Sequence, residues 1–225
     1  MRIFNLNADR AGTYLIDFFE EHEPDIILLQ EWANHINDQS DSASSHFNEY
    51  EFVAATRYVL TASHSKAEVV YSDERTLMTI HEGVLVVNTY LDASSGKLRR
   101  EHLEGLCEII HSLNHQPALI AGDFNMAPRP EDGWYGDDYS KFTSKGERTA
   151  FSNLLRQFNL QDKGEHQEWE ATFERLNRGK MNRFRCDLAL VSENAPGMWS
   201  LKYDHNFRKK SGMSDHSALI IQYEV

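Results

Sequence analysis

Leu119-Ile-Ala-Gly-Asp-Phe-Asn-Met-Ala-Pro128 is an apolar run that breaks at a glycine and passes at once to a carboxylate, an amide and a proline. Pro117 stands in front of it, and residues 118–121 read as a short buried strand. Asp123 and Asn125 therefore follow a strand end, the place where α/β folds usually hold ligands. The pattern recurs along the chain. Asn5 and Asn7 end a strand over residues 3–7, Gln30-Glu31 ends one over 25–30, and Asn88 and Tyr90 end one over 83–90. Asp187 interrupts the apolar run Arg185-Cys-Asp-Leu-Ala-Leu-Val191, and Ser214-Asp-His216 opens a last strand over 218–223.

Helical patterns lie between these strands. Residues 13–21 carry Leu15, Ile16, Phe18 and Phe19 before Pro24 stops the helix. Residues 97–113 place Leu98, Leu103, Leu106, Ile109, Ile110 and Leu113 on one side, and a third helix covers 147–158. Further strands are expected at 50–55, 68–71 and 76–80, with His81-Glu-Gly83 turning into the strand at 83–90. Residues 32–48 and 126–145 read as loops. With no repeat or linker, strand blocks separated by helices imply one domain over 1–225, with stacked sheets and flanking helices.

At 40% hydrophobic and 26% charged residues, the chain has the makeup of an ordinary globular domain with a proper core. Two cysteines, Cys107 and Cys186, are too few for a disulfide framework and are expected as buried free thiols in a reducing compartment. The first strand starts so close to Met1 that no signal core fits before it. Runs such as Ile26-Ile-Leu-Leu29 are too short to span a bilayer, so a cytoplasmic protein without a membrane partner is expected. The net charge of -12 argues against a polyanionic substrate, but the charge is uneven. Residues 171–225 hold 9 Lys/Arg against 6 Asp/Glu, whereas the preceding 170 hold 14 against 29. The cations concentrate between Arg175 and Arg185 and in Arg208-Lys-Lys210, a rim that can receive phosphates.

A carboxylate inside an apolar strand needs a partner or a metal, and Asp187 is such a carboxylate. It could orient His216 as a general base. Hard oxygen donors without a Cys/His cluster suit Mg²⁺ or Mn²⁺, which neutralises charge developing on a phosphate. There is no Gly-x-Ser-x-Gly elbow, phosphate-binding Gly-rich loop or dinucleotide fingerprint to support other chemistries.

In order, Phe4-Asn-Leu-Asn7, Leu29-Gln-Glu31, Val87-Asn-Thr-Tyr90, Gly122-Asp-Phe-Asn-Met-Ala-Pro128, Arg185-Cys-Asp187 and Ser214-Asp-His216 resemble the motifs of the endonuclease/exonuclease/phosphatase superfamily. The resemblance implies a four-layer α/β sandwich of two packed β-sheets flanked by helices. It implies Glu31 as the main metal ligand with Asn5 and Asp215 nearby, and Asp123 and Asn125 at the water and the phosphate. His216, oriented by Asp187, would act with Asp123 as a unit. Tyr90 stands where phosphoinositide phosphatases and sphingomyelinases usually carry His, and resembles the exonuclease III-like abasic-site endonucleases. Phe184 would face the abasic sugar, with Phe173 and Trp169 completing the pocket, and Asn7, Arg183 and Arg185 would join it in binding substrate.

There are departures. Tyr90-Leu-Asp-Ala93 lacks the Pro-Asn pair that nuclease relatives use to grip phosphate, and Ala33 stands where a Lys often follows the Gln-Glu motif. Residues 58–65 replace a usual Gly-rich strand. The expected activity is a monomeric, Mg²⁺-dependent DNA nuclease, either abasic-site endonuclease or 3′-to-5′ exonuclease. The alternative is a phosphodiesterase or phosphatase acting on RNA or a small phosphate ester.

Overall fold

Side-chain alternation on the first strand already separates the layers. In β1 (Arg2–Asn7), Ile3 packs into the space between two sheets, while Phe4 and Leu6 pack on the opposite face. The computed structural model describes residues 1–9, 21–32, 47–165, 167–195, 197–206, 208 and 214–224. The helix expected at 13–21, apart from Glu21, lies outside the described residues, as does most of the 32–48 stretch.

One six-stranded sheet holds β15 (Met198–Asp204), β16 (Ala218–Glu224), β1, β2 (Ile26–Gln30), β4 (Val59–Ser63) and β3 (Phe52–Ala55) in that spatial order. The other holds β11 (Leu160–Asp162), β14 (Asp187–Ser192), β8 (Pro117–Asp123), β7 (Val84–Tyr90), β6 (Thr76–His81) and β5 (Ala67–Ser72). Both are mixed: β1 runs parallel to β2 and β7 to β8, and their other neighbours are antiparallel. Ile3, Ile26, Leu28, Leu219 and Ile221 of the first sheet meet Val86, Leu119, Ala121, Ala189 and Val191 of the second in one buried cluster.

The outer face of the second sheet, including Met78, Val87, Ile120 and Leu188, is covered by α1 (Gly96–Leu113) and α2 (Lys145–Gln157). Both helices start one or two residues before the expected positions, because Ser95 and Ser144 cap them. A buried Arg99–Glu147 pair at 2.6 Å ties one to the other. On the outer face of the first sheet Phe4, Leu6, Ile27 and Leu29 pack with Trp32 and Phe47. The α/β sandwich expected from the strand and helix blocks is therefore present. Both cysteines are buried and free, and no described helix is long and apolar enough to cross a membrane.

The fold departs from expectation in the stretches read as loops. Residues 126–145 contribute β9 (Gly133–Tyr135) and β10 (Asp138–Tyr139). The basic stretch forms the hairpin of β12 (Phe173–Asn177) and β13 (Lys180–Phe184), turning at Arg178-Gly179. Together they make a small sheet in the order β10-β9-β13-β12. Its strands are two to five residues long and their apolar residues do not alternate strictly with polar ones, which is why hydrophobic periodicity alone does not reveal it.

Candidate active site

The parity that buries the core also collects the polar side chains. Asn5 and Asn7 share the inner face of β1 with Ile3, and Gln30 shares that of β2 with Ile26 and Leu28. Asn88 and Tyr90 continue the Val86 face of β7, Asp123 the Leu119–Ala121 face of β8, and Asp187 the Ala189–Val191 face of β14. Parallel pairing brings the C-terminal ends of β1 with β2, and of β7 with β8, to one end of the sandwich. Antiparallel β14 begins there, so Asp187 and Tyr90 both lie opposite Asp123. Gly122 makes this possible. Its φ is 150°, and a Cβ there would sit 1.8 Å from the Thr89 carbonyl oxygen on β7.

A buried amide chain forms the floor. Gln30 Nε2 donates to Asn5 Oδ1 at 2.9 Å and to Asn88 Oδ1 at 2.7 Å, and Asn88 Nδ2 donates to the Leu60 carbonyl at 2.8 Å. Above it, Asn7 Nδ2 bridges two carboxylates, donating to Asp123 Oδ2 at 2.9 Å and Glu31 Oε1 at 3.2 Å. The Tyr90 hydroxyl donates to the same Glu31 oxygen at 2.7 Å. Asn125 holds Asp123 through its backbone N–H at 2.8 Å and its side-chain amide at 3.0 Å. Glu31 and Asn125 both take left-handed backbone, with φ of 46° and 49°. Two non-glycine residues in this region at one site mark stored strain, of the kind that turns side chains out of a strand toward a ligand.

His216 faces this wall. Its Nδ1 donates to the Asp187 carboxylate at 2.9 and 3.1 Å, and Nε2 lies 3.9 Å from Asp123 Oδ2 and 3.7 Å from Asp215 Oδ1. Ser214 anchors the segment by donating to the Asn7 carbonyl at 2.8 Å and accepting from the His216 N–H at 3.0 Å. Burial alone would favour neutral imidazole, but Asp187, Asp123 and Asp215 outweigh it and push His216 upward. Burial, reinforced by Asp187, pushes the Asp123 carboxyl upward too, against the pull of His216, Asn7 and Asn125. The two groups titrate as a pair, because the charge on each acts on the other across 3.9 Å.

The family model described as "Endonuclease/Exonuclease/phosphatase family" matches residues 3–216. This chain belongs to the endonuclease/exonuclease/phosphatase family. It is therefore a phosphoric ester hydrolase. No curated protein sequence matches it. Among solved structures, an AP endonuclease from Archaeoglobus fulgidus is similar at a TM-score of 0.80 and 21% identity, with 100% of each chain covered. A 3′ phosphatase, NExo, from Neisseria, solved with a product DNA hairpin, gives 0.79 and 23% over 100% of both chains. The 3′-5′ exonuclease NExo from Neisseria meningitidis gives 0.79 and 22%, also over 100% of both. These likenesses establish the shared fold.

Within this family fold the structure brings together two hydrogen-bonded groups, Glu31–Tyr90–Asn7–Asp123–Asn125 and Asp187–His216, which approach to 3.9 Å between Asp123 and His216. Asn7 bridges the two carboxylates, whereas Asn5 turns its oxygen to Gln30 and leaves Nδ2 buried without a partner. Arg185 is withdrawn from the substrate set. Its side chain is 1% exposed, and its guanidinium makes four bonds of 2.7–3.1 Å to Asp132 and Asp162. Buried between those two carboxylates, the guanidinium cannot reach a phosphate in the site. Arg183 stays on the small sheet, donating to the Gly136 carbonyl at 3.2 Å.

Phe184 packs with Phe173, Ala127 and Cys186, and the Phe173 ring lies 5.0 Å from that of His216. Trp169 stands elsewhere, against Trp134 at 6.3 Å. Sequence reasoning missed Arg75, whose guanidinium lies 4.3 Å from the Tyr58 ring and 5.0 Å from the Tyr90 ring while pairing with Asp92 at 3.3 Å. It occupies the β5–β6 turn, where a surface arginine carries no local signal. A divalent cation fits the donor chemistry. Glu31 keeps one carboxylate oxygen free of hydrogen bonds at the partly exposed end of the wall, and Asp215 adds a second accessible carboxylate.

Proposed function

We propose that this hydrolase is a Mg²⁺- or Mn²⁺-dependent DNA nuclease that cuts at abasic sites, at 3′ ends, or at both. The carrying observation is the opposition of two preorganised walls, Glu31–Tyr90–Asn7–Asp123–Asn125 and His216–Asp187, beside a basic, aromatic sheet. A phosphate at the mouth of the site accepts from His216 Nε2, with the Asp123 carboxylate 3.9 Å from that nitrogen beside it. Asn7 and Asn125 hold Asp123 so that it can take a proton from an attacking water. Asp187 fixes the imidazole orientation and favours the charged ring against a phosphoryl oxygen. Glu31 and Asp215 would hold the cation, which when bound stabilises negative charge on the phosphate.

Phe173 and Phe184 offer an apolar face beside His216 suited to a sugar without a base. Arg175, Arg178, Lys180 and Arg183 on the hairpin supply cations for the phosphate backbone. The similarity to an AP endonuclease and to a 3′ phosphatase bound to DNA supports the same reading.

Asp92 favours a second reading. With Ala93 it replaces the Pro-Asn pair with which nuclease relatives grip phosphate, and it is engaged with Arg75, Ser94 and Ser95 at the start of α1. That weaker grip would suit RNA or a small phosphate ester. Cleavage of a labelled duplex with one abasic analogue, with Mg²⁺ and with EDTA, tests the proposal. Incision with Mg²⁺ that drops by about three orders of magnitude in Asp123→Ala is expected. Greater activity on small phosphate esters than on any duplex establishes the second reading.

A further inference from the structure

Cys186 has no part in the hydrolysis described above, yet its thiol is buried beside the groups that act in it. Candidate ligand atoms of Asp123, Cys186 and His216 all lie within 4.8 Å of one another, and His216 Nε2 is 3.9 Å from Asp123 Oδ2. A tetrahedral ion with N, O and S ligands at about 2.0–2.3 Å sets ligand separations of roughly 3.3–3.6 Å. A closure of about 1 Å therefore completes the trio.

His216 is already oriented as a ligand. Its Nδ1–H is given to Asp187, which directs Nε2 into the site in the carboxylate–imidazole–metal arrangement. Asp123 is held by Asn7 and Asn125, and Thr172 Oγ lies 3.9 Å from the Cys186 sulfur.

Electrostatics favour a dication here. Three carboxylates, Asp187, Asp123 and Asp215, surround one imidazole. A thiophilic dication that displaces the sulfur and imidazole protons puts its own charge among these anions. Mg²⁺ has little affinity for thiolate, whereas Zn²⁺ and Cd²⁺ prefer it.

We propose that Asp123, Cys186 and His216 form a soft-metal site that takes Zn²⁺ or Cd²⁺ and, by occupying Asp123 and His216, shuts down hydrolysis. The inhibitory half rests on the hydrolytic roles given to those two residues. The binding half does not.

The test is titration of the metal-free full chain with Cd²⁺, followed by thiolate-to-cadmium charge-transfer absorption and by calorimetry. One equivalent is expected to bind with the band in wild type and in Cys107→Ala. The band should vanish in Cys186→Ala and Cys186→Ser, with affinity lowered by about ten-fold or more. Zn²⁺ should abolish the band and excess Mg²⁺ should not. Cys186→Ser keeps the side chain's size, and its unliganded melting curve reports whether loss of the band reflects loss of fold. Absence of the band in wild type, or its persistence without Cys186, overturns the proposal. For the inhibitory half, the Zn²⁺ concentration that halves the Mg²⁺-supported rate should rise by about ten-fold or more in Cys186→Ser, relative to that variant's own rate. Equal inhibition of both proteins overturns that half. A wild type that hydrolyses no phosphate ester sinks the roles given to Asp123 and His216, while the absorption titration still decides the binding.

Discussion

His216 and Arg185 show how two buried charges in one small region do different work. Asp187 accepts from His216 Nδ1, so the ring's other nitrogen faces Asp123 and Asp215 in the site. Replacing that carboxylate by an amide keeps the shape and removes the charge that orients the imidazole. Asp187→Asn should lower kcat by about two to four orders of magnitude with KM nearly unchanged, read from steady-state kinetics. An equal loss in KM alone would mean that Asp187 serves binding. Arg185 is spent on Asp132 and Asp162, both nearly inaccessible to solvent. Arg185→Leu leaves these two carboxylates buried without their cation and should cost about 3–5 kcal/mol in denaturant unfolding. Full stability together with a raised KM would return Arg185 to the substrate set.

At the scale of elements, β12 and β13 carry the cations that make the C-terminal part of the chain positive. Arg178 sits in the turn with φ of 50°, and Lys180 Nζ lies 5.2 Å from the centre of the Tyr135 ring. Leu176 and Met181 face each other across the hairpin and are both exposed, an apolar pair flanked by positive charge. The pairing is held by backbone bonds and by β9, so charge can be removed at the tip without unfolding it. The double change Arg178→Ala with Lys180→Ala should raise KM for duplex DNA several-fold. It should also lower the slope of log affinity against log salt by about 1 for each phosphate that is no longer neutralised. Binding measured over a salt series checks this, and an unchanged slope would place the nucleic acid elsewhere.

Across the whole molecule, a net charge of -12 on a body with buried histidines sets the response to acid. Burial lowers His81 to about 4, and its Nδ1 has no hydrogen-bond partner. In the unfolded chain the same ring titrates near its ordinary 6.5. The unfolded state therefore takes up the proton first as pH falls. The contribution of neutral His81 is complete above about 6.5 and is lost progressively as pH falls toward 4. Urea unfolding of wild type and His81→Gln between pH 7.5 and 5 should show wild type losing more stability, and parallel curves would refute the assignment.

Much of this was legible in one dimension. The strand and helix blocks announced stacked sheets because a sheet face must be buried, and a period of two writes that demand into the residues. The same period placed Asn5, Asn7, Asp123 and Asp187 at strand ends, where the apolar stripe stops and the polar one begins. Asp187 inside an apolar strand also signalled its need for a partner, which is His216. Tertiary structure decided the rest. Asn5 and Asn7 have the same parity on β1, and only the placement of β2 and β8 determines that Asn7 spans Glu31 and Asp123 while Asn5 meets Gln30. Arg185 looked free for a phosphate because its partners lie 53 and 23 residues away. Local pattern records which face a residue takes, since that follows from backbone geometry. It does not record which distant group waits there, because that pairing exists only once the chain has closed on itself.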